Sequence, residues 1–282
     1  VSDRSVLSLF REEELPRYDV SRAPALVRLL DDRLPEVDDD LWRRWNALQG
    51  EFLHWTRERA GVNREYVAES IARLAELFDH RGPLEGDVLD VGGGWGLLRK
   101  WWNAGEGSLF VVHDPALQRF LVGPPPLYRE LYGAALERPM AFVAGFGEEL
   151  PYRDGSFDEL VCAATLDHAM DPRRVLAEGR RCLKPGGRAL VILHCQGLEG
   201  EERTLRRPLG ERLGSALRHP LRSLRRLFGG SRDHHLHHFT VEELAALIGE
   251  VGFTGVEVRP YGEGTGARAF LARRQECDRN GT

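Results

Sequence analysis

The sequence predicts an α/β fold: a doubly wound, seven-stranded, mostly parallel sheet, with an N-terminal helical extension and a helical lid insertion. Three observations predict it. After Asp87 short apolar runs alternate with helical stretches, the pattern of strands joined by crossover helices. One of these runs, Val88-Leu89-Asp90-Val91, leads straight into Gly92-Gly93-Gly94-Trp95-Gly96. Before Gly82, by contrast, apolar residues recur at spacings of three and four, the period of amphipathic helices.

The first helix rests on Leu41, Trp45, Leu48, Phe52 and Trp55. The second rests on Val67, Ile71, Leu74 and Phe78; it opens after Asn63, a good N-cap, and stops at Arg81-Gly82-Pro83. Strands are expected at Val88 to Val91, Leu109 to His113, Ala141 to Ala144, Glu159 to Ala164, Ala189 to His194, Gly255 to Arg259 and Ala267 to Ala272. Between the fourth and fifth, Asp171 caps a helix with Pro172 at its first position and Lys184-Pro185-Gly186-Gly187 as its stop. The last helix opens with the capping box Thr240-Val241-Glu242-Glu243 and ends at Gly252. Gln196 to Phe239 is too long for an ordinary connection and is rich in arginine, so it reads as a lid. The expected domains are 1–82, an N-terminal helical cap; 83–195, the core; 196–239, the insertion; and 240–282, the completion of the core.

The 282 residues are 42% apolar and 29% charged, a globular profile that excludes disordered, collagen-like and coiled-coil chains. The net charge of −5 argues against a protein whose main task is neutralising a phosphate backbone. Cys162, Cys182, Cys195 and Cys277 have neither CxxC spacing nor the density of a secreted scaffold, so they read as reduced thiols and point to the cytoplasm. Val1 to Glu14 carries Asp3, Arg4, Arg11 and three successive glutamates where a secretory signal would be apolar, and no apolar run is long enough to predict a transmembrane segment.

Glycines let the backbone turn sharply and approach a ligand, and a following helix would present unpaired amide donors. A nicotinamide fingerprint would place its glycines at the first, third and sixth positions, but counting from Gly92 the sixth is Leu97 and the last glycine, Gly96, falls at the fifth. The acid-x-Gly-x-Gly-x-Gly form from Asp90 to Gly96 resembles motif I of the class I S-adenosylmethionine-dependent methyltransferases, whose fold is Rossmann-like. That resemblance implies that Gly92, Gly93, Gly94 and Gly96 contact the amino-acid end of S-adenosylmethionine, and that Asp90 helps to hold its ammonium. Asp114, at the end of the next strand, matches the acid that binds the two ribose hydroxyls. The stretch from Gly145 to Asp158 and the LVCAATLDHAMDPRRVLAEGRRCLKPGGRALVI that follows resemble the small-molecule and quinone-type members. With motif I the resemblance covers roughly residues 85–195 plus the HFTVEEL helix, and it adds Pro115, Gly147 and Thr165 to the cofactor contacts. One departure is Phe146, standing where the family commonly has an aspartate for the adenine amino group; a phenyl ring can stack on adenine and cannot accept that hydrogen bond. Trp95 is a second, and either lines the pocket or packs behind the turn.

Ligands of open parallel sheets bind beyond the carboxyl ends of the strands, which places Thr165, Leu166, Asp167, His168, His194 and Gln196 on the acceptor side. An alcohol or phenol must lose a proton, and histidine titrates near working pH. His168 is the first candidate base, with Asp167 or Asp171 to orient it; His235, which alternation groups with His237, is the second. His234, His235, His237 and His238 also admit a metal reading, in which the ion polarises the acceptor hydroxyl, although no other residue has a spacing that demands it. The arginines of the insertion form a solvated helical face, or else recognise an anionic acceptor or a membrane surface carrying a lipid-linked one.

The function expected is methyl transfer to a small-molecule acceptor, O-methylation first, with N- or C-methylation open. A nucleic-acid substrate is disfavoured, because the Asn/Asp-Pro-Pro-aromatic motif is replaced by Leu166-Asp167-His168-Ala169; Gly123-Pro124-Pro125-Pro126 lies elsewhere and reads as a loop. The rivals are a non-catalytic cofactor-binding module, suggested by Phe146, and a nicotinamide oxidoreductase.

Overall fold

The computed structural model describes residues 4–31, 33–58, 63–197, 235–262 and 266–276. Most of the expected lid lies outside the described residues, as do His234, Cys277 and the side chain of Trp55. The strands are β1 (Tyr18–Arg22), β2 (Leu26–Leu29), β3 (Leu84–Glu85), β4 (Val88–Val91), β5 (Trp102–Asn103), β6 (Phe110–His113), β7 (Ala141–Ala144), β8 (Phe157–Ala163), β9 (Leu183–His194), β10 (Phe253–Pro260) and β11 (Ala267–Arg274). The α-helices are α1 (Asp39–Glu58), α2 (Arg64–Arg81), α3 (Leu117–Val122), α4 (Pro126–Tyr132), α5 (Pro172–Cys182) and α6 (Val241–Glu250).

Nine strands form the main sheet in the order β1-β2-β7-β6-β4-β8-β9-β11-β10. From β2 to β9 every pairing is parallel, while β11 runs antiparallel to both its neighbours. Strands β4, β6 and β7 are buried at every residue, as a parallel sheet covered on both faces requires. The chain runs outward from β4 to β6 and β7, then returns to β8 on the other side of β4, so strand order reverses between β4 and β8.

The seven expected strands are all present, and the sheet is larger than expected by two. Residues 1–82 are therefore not wholly helical: β1 and β2 form a hairpin that pairs with β7 from Leu26↔Phe142 to Arg28↔Ala144. An apolar strand such as β7 would otherwise leave its edge open. Only β2 buries most of its residues, which is why the hairpin carried no strong periodicity.

Local chemistry fixes the helix ends. Asn63 accepts from the Tyr66 N–H at 3.2 Å, Asp171 caps α5 through the Arg174 N–H at 3.1 Å, and Thr240 and Glu243 form a reciprocal capping box. The stretch Lys184-Pro185-Gly186-Gly187 does end α5, yet it belongs to β9, whose pairing with β8 shifts register there. The glycine turn departs from expectation, since a five-residue 3-10 segment, Leu97–Trp101, follows it in place of an α-helix. Trp102 then pairs with Leu84 in the small β3–β5 sheet, and buried Arg99 ties the segment to the Leu136 and Arg138 carbonyls. Tethered so soon after the turn, the chain has no length for an α-helix. Cys162, Cys182 and Cys195 are buried free thiols, and no helix among the described residues is long and apolar enough to cross a membrane.

Arg81, at the end of α2, holds Glu159 of β8 at 2.7 Å, and Arg188 of β9 pairs with the same carboxylate, which is 1% exposed. Burial pushes the Glu159 pKa up and both arginines oppose it. Removing one partner of a buried pair leaves an uncompensated charge, so Arg81→Leu is expected to lower the unfolding free energy by about 3 kcal/mol in a denaturant titration. A loss below about 1 kcal/mol would show that Arg188 suffices alone.

Candidate active site

Beyond β4 the backbone is pressed between side chains that only glycine admits. Gly92 has φ +70°, and a Cβ there would lie 2.4 Å from Thr165 Oγ1; one at Gly93 would lie 2.3 Å from Asp90 Oδ2. The turn is tied to β6 by the Gly92 N–H on the His113 carbonyl, 2.8 Å, and the Gly94 N–H on Asp114 Oδ2, 2.9 Å. Asp114 Oδ1 accepts from the Ala116 N–H at 2.7 Å, so its carboxylate is oriented from both sides.

Asp90 is 1% exposed, and neither carboxylate oxygen has a hydrogen-bond partner among the described residues. Its pKa is pushed up to about 8, by burial first and the neighbouring Asp114 second, with Arg99 opposing. A buried carboxylate without donors is costly, and this one faces a cavity of about 440 Å³. Gly92 and Gly93 line that cavity with Asp90; Tyr66 and Arg73 of α2, Tyr132, His194 and Tyr261 close it.

Across Gly92 and Ala164 lies a second, narrower cavity of about 60 Å³, lined by Asp114, Pro115, Phe146, Gly147, Glu148, Thr165 and His168. Trp45, Gln49 and Phe52 of α1 lie over it. Ala164, at the boundary of the two, has φ +50°, a left-handed conformation uncommon for a residue with a Cβ and typical of functional sites.

The expected cofactor residues thus divide between the cavities. Gly94 and Gly96 line neither: Gly94 positions Asp114, and Gly96 packs against Met140. Trp95 packs behind the turn with Tyr128, ring centroids 5.4 Å apart. Phe146 sits edge-to-face against Trp42 and Trp45, at 5.8 and 5.7 Å. Its carbonyl lies 3.1 Å from His113 Nε2, and His113 Nδ1 lies 3.0 Å from the Tyr152 hydroxyl. A carbonyl only accepts, which puts the proton on Nε2 and makes Nδ1 the acceptor. Burial holds the His113 pKa down to about 4, so the imidazole stays neutral. Glu148 Oε1 receives the Met170 and Asp171 N–H groups at 2.8 and 3.2 Å.

On the acceptor side Asp167, His168 and His235 come together, their ligating atoms within 4.8 Å of one another. Asp167 Oδ2 pairs with His235 Nε2 at 3.3 Å, and the His168 and His235 rings lie 4.9 Å apart. The Asp167 carbonyl takes the Leu236 and His237 N–H groups at 2.7 and 3.1 Å, which pins the incoming segment. Several expectations change here. The pairing of Asp167 is with His235, Asp171 serves as the cap of α5, and Leu166 belongs to the hydrophobic core. His194 lines the larger cavity, and the Gln196 N–H bonds the Phe239 carbonyl. Among the described residues the metal-like grouping takes His235 alone from the histidine run; His237 Nε2 has no hydrogen-bond partner there, and the His238 ring is 5.9 Å from that of His235.

Sequence reasoning did not single out His113, Gln49, Arg73, Tyr66, Tyr132 or Tyr261. Trp45 and Phe52 were visible as a helical stripe, and nothing in that stripe says which cavity it covers.

A methyltransferase-domain family model matches residues 89–191. Residues 89–191 thus form a methyltransferase domain, similar to those of S-adenosylmethionine-dependent methyltransferases. The chain is 36% identical over 133 residues to the ubiquinone/menaquinone biosynthesis C-methyltransferase UbiE of Hahella chejuensis, covering 45% of this chain and 52% of that protein. It is 29% identical over 191 residues to the malonyl-[acyl-carrier protein] O-methyltransferase of Geobacter sulfurreducens, 66% of this chain and 62% of that one. The chain therefore spans about half of the first and under two thirds of the second. A solved structure of the 1,6-didemethyltoxoflavin-N1-methyltransferase of Burkholderia thailandensis, with S-adenosylhomocysteine bound, shares its fold at a TM-score of 0.50 and 18% identity, covering 86% of this chain and 93% of that one. A S-adenosylmethionine-dependent methyltransferase of Thermotoga maritima shares it at 0.50 and 19%, covering 83% and 100%. The methyltransferase core fits its cofactor: the orphaned Asp90 carboxylate suits an ammonium, and Asp114 a pair of ribose hydroxyls.

A carboxyl whose pKa is raised on folding contributes stability that is complete below its unfolded value, near 4, and is lost as pH rises through about 8. Asp90→Asn removes that loss. The melting temperature of the variant is expected to exceed that of the parent by a margin that widens from pH 4 to pH 8 and then levels; a margin independent of pH would contradict the burial of an unpaired carboxyl.

Proposed function

We propose that this chain transfers the methyl group of S-adenosylmethionine to a hydroxyl of a small-molecule acceptor, with a histidine at the end of β8 receiving the acceptor's proton. The observation that carries this reading is the gathering of Asp167, His168 and His235, with His168 lining the narrower cavity. Bound S-adenosylmethionine supplies a methyl carbon already made electrophilic by its sulfonium. The protein has to hold the acceptor in line, exclude water and take up one proton. Asp90 would face the ammonium, Asp114 the ribose hydroxyls, and Phe146 and Gly147 the adenine.

His168 is the first base and His235 the second, the latter oriented by Asp167. The histidines support O-methylation over the other outcomes, because amines and enols need less help in losing a proton. Trp45 and Phe52 lie where they would shut out water. An anionic or lipid-linked acceptor is the finer form of this proposal, supported by the arginines of the insertion.

A second reading rests on the same trio, which could hold a divalent cation that polarises the acceptor hydroxyl as a Lewis acid. Chelation separates the two, since activity that survives it belongs to the base. In a panel of hydroxyl, amine and enol acceptors, His168→Ala is expected to lower kcat by about 100-fold or more while S-adenosylhomocysteine affinity stays within about twofold. An unaltered kcat removes His168 from the proton-accepting role, and cofactor binding without transfer to any acceptor would favour a binding module.

A further inference from the structure

The loop after β8, which carries His168, is anchored along its backbone from three other parts of the chain. The Asp167 carbonyl takes the Leu236 and His237 N–H groups, and the Met170 and Asp171 N–H groups go to Glu148 Oε1. Between these anchors the His168 carbonyl accepts the indole N–H of Trp45 in α1, 3.0 Å away and 123 residues earlier in the sequence. Trp45 and His168 are both buried. An indole N–H only donates, and the direction of this one is fixed by two neighbouring rings. Trp45 stacks on Trp42, with centroids 5.3 Å apart and planes at 18°, and meets Phe146 edge-to-face at 5.7 Å. The same helix also reaches the imidazole itself, since the Phe52 ring lies 4.6 Å from that of His168.

We propose that Trp45 is a positioning residue for the methyl transfer: through the His168 carbonyl it fixes the backbone that bears the imidazole, and with it the point at which the acceptor's proton is taken up. The assignment rests on His168 as the proton acceptor and adds the group, outside the reacting atoms, that aims it. A buried carbonyl deprived of its donor is costly, so without the indole N–H the loop turns to find another partner and the imidazole moves with it. Proton transfer needs heavy atoms within about 3 Å, and a displacement of about 1 Å costs it a large factor. Packing alone does not demand tryptophan at this place, because phenylalanine supplies most of the same apolar surface. What phenylalanine lacks is the N–H.

Two variants separate the hydrogen bond from the bulk. Trp45→Phe keeps most of the ring and loses the donor; Trp45→His loses the benzo ring, yet its Nε2–H stands where the indole Nε1–H stands in the five-membered ring. The test is steady-state methyl transfer by the full chain from S-adenosylmethionine to a panel of phenols and primary alcohols, with S-adenosylhomocysteine affinity from calorimetry. Trp45→Phe is expected to lower kcat about 10-fold or more, with acceptor KM and S-adenosylhomocysteine affinity within about twofold of the parent, and Trp45→His to keep kcat within about threefold. In a His168→Ala background Trp45→Phe should change kcat no further. An unaltered kcat in Trp45→Phe, a greater or equal loss in Trp45→His, or a further loss in the His168→Ala background overturns the assignment and marks Trp45 as a packing or water-excluding residue. If Trp45→Phe does not fold, the histidine variant carries the test, and a loss of about 10-fold in it overturns the assignment; failure of both to fold gives Trp45 to the fold and overturns it too. An unaltered kcat in His168→Ala, or no transfer by the parent to any of these acceptors, overturns the reading of the base and this assignment with it.

Discussion

The site depends on a carboxylate placed where it has no partner. Asp90 belongs to a strand that lies near the middle of a nine-stranded sheet and is buried at every residue, and no donor among the described residues reaches its oxygens. Several other features follow from it. Gly93 has to be glycine because any Cβ would strike that carboxylate, and Gly92 because Thr165 lies behind it. The turn forced by these contacts carries the Gly94 N–H to Asp114, so the acid of the first strand indirectly sets the acid of the second. An arrangement that buries an acid at a cost to the empty protein makes sense when a cation is to be bound there, since the binding partner then recovers what folding gave up.

The N-terminal region supplies walls to both cavities. Its hairpin extends the sheet beyond β7, α1 lies over the adenosine side with Trp45 and Phe52, and α2 lies over the amino-acid side with Tyr66 and Arg73. Phe146 bridges to this region by packing on Trp42 and Trp45, and its backbone is held by neutral His113. An aromatic residue in place of an acid at that position therefore joins the core to α1.

Much of this was legible in sequence where local chemistry determines structure. Strands β4, β6 and β7 were recognisable as short, mostly apolar runs, and the caps Asn63, Asp171 and Thr240 announced their helices. The hairpin β1–β2 was missed because its first strand exposes four of five residues, leaving no alternation to read. The 3-10 segment after the turn was missed because what stops it is tertiary, the pairing of Trp102 with Leu84 and the grip of Arg99 on distant carbonyls. His113 read as an ordinary strand residue, since its partners Tyr152 and Phe146 lie more than thirty residues away. The meeting of His235 with Asp167 and His168 has the same character: the residue types were visible, and the pairing is a property of the fold.

The central claim is that Asp90 waits, largely protonated, for a cation. Titrating S-adenosylhomocysteine into the protein at pH 7 in two buffers of different ionisation enthalpy counts the protons exchanged on binding. With the Asp90 pKa near 8 in the empty protein and an ammonium beside it in the complex, the account predicts release of about one proton by the parent and none by Asp90→Asn. Binding without proton release, or the same release from both proteins, would contradict it.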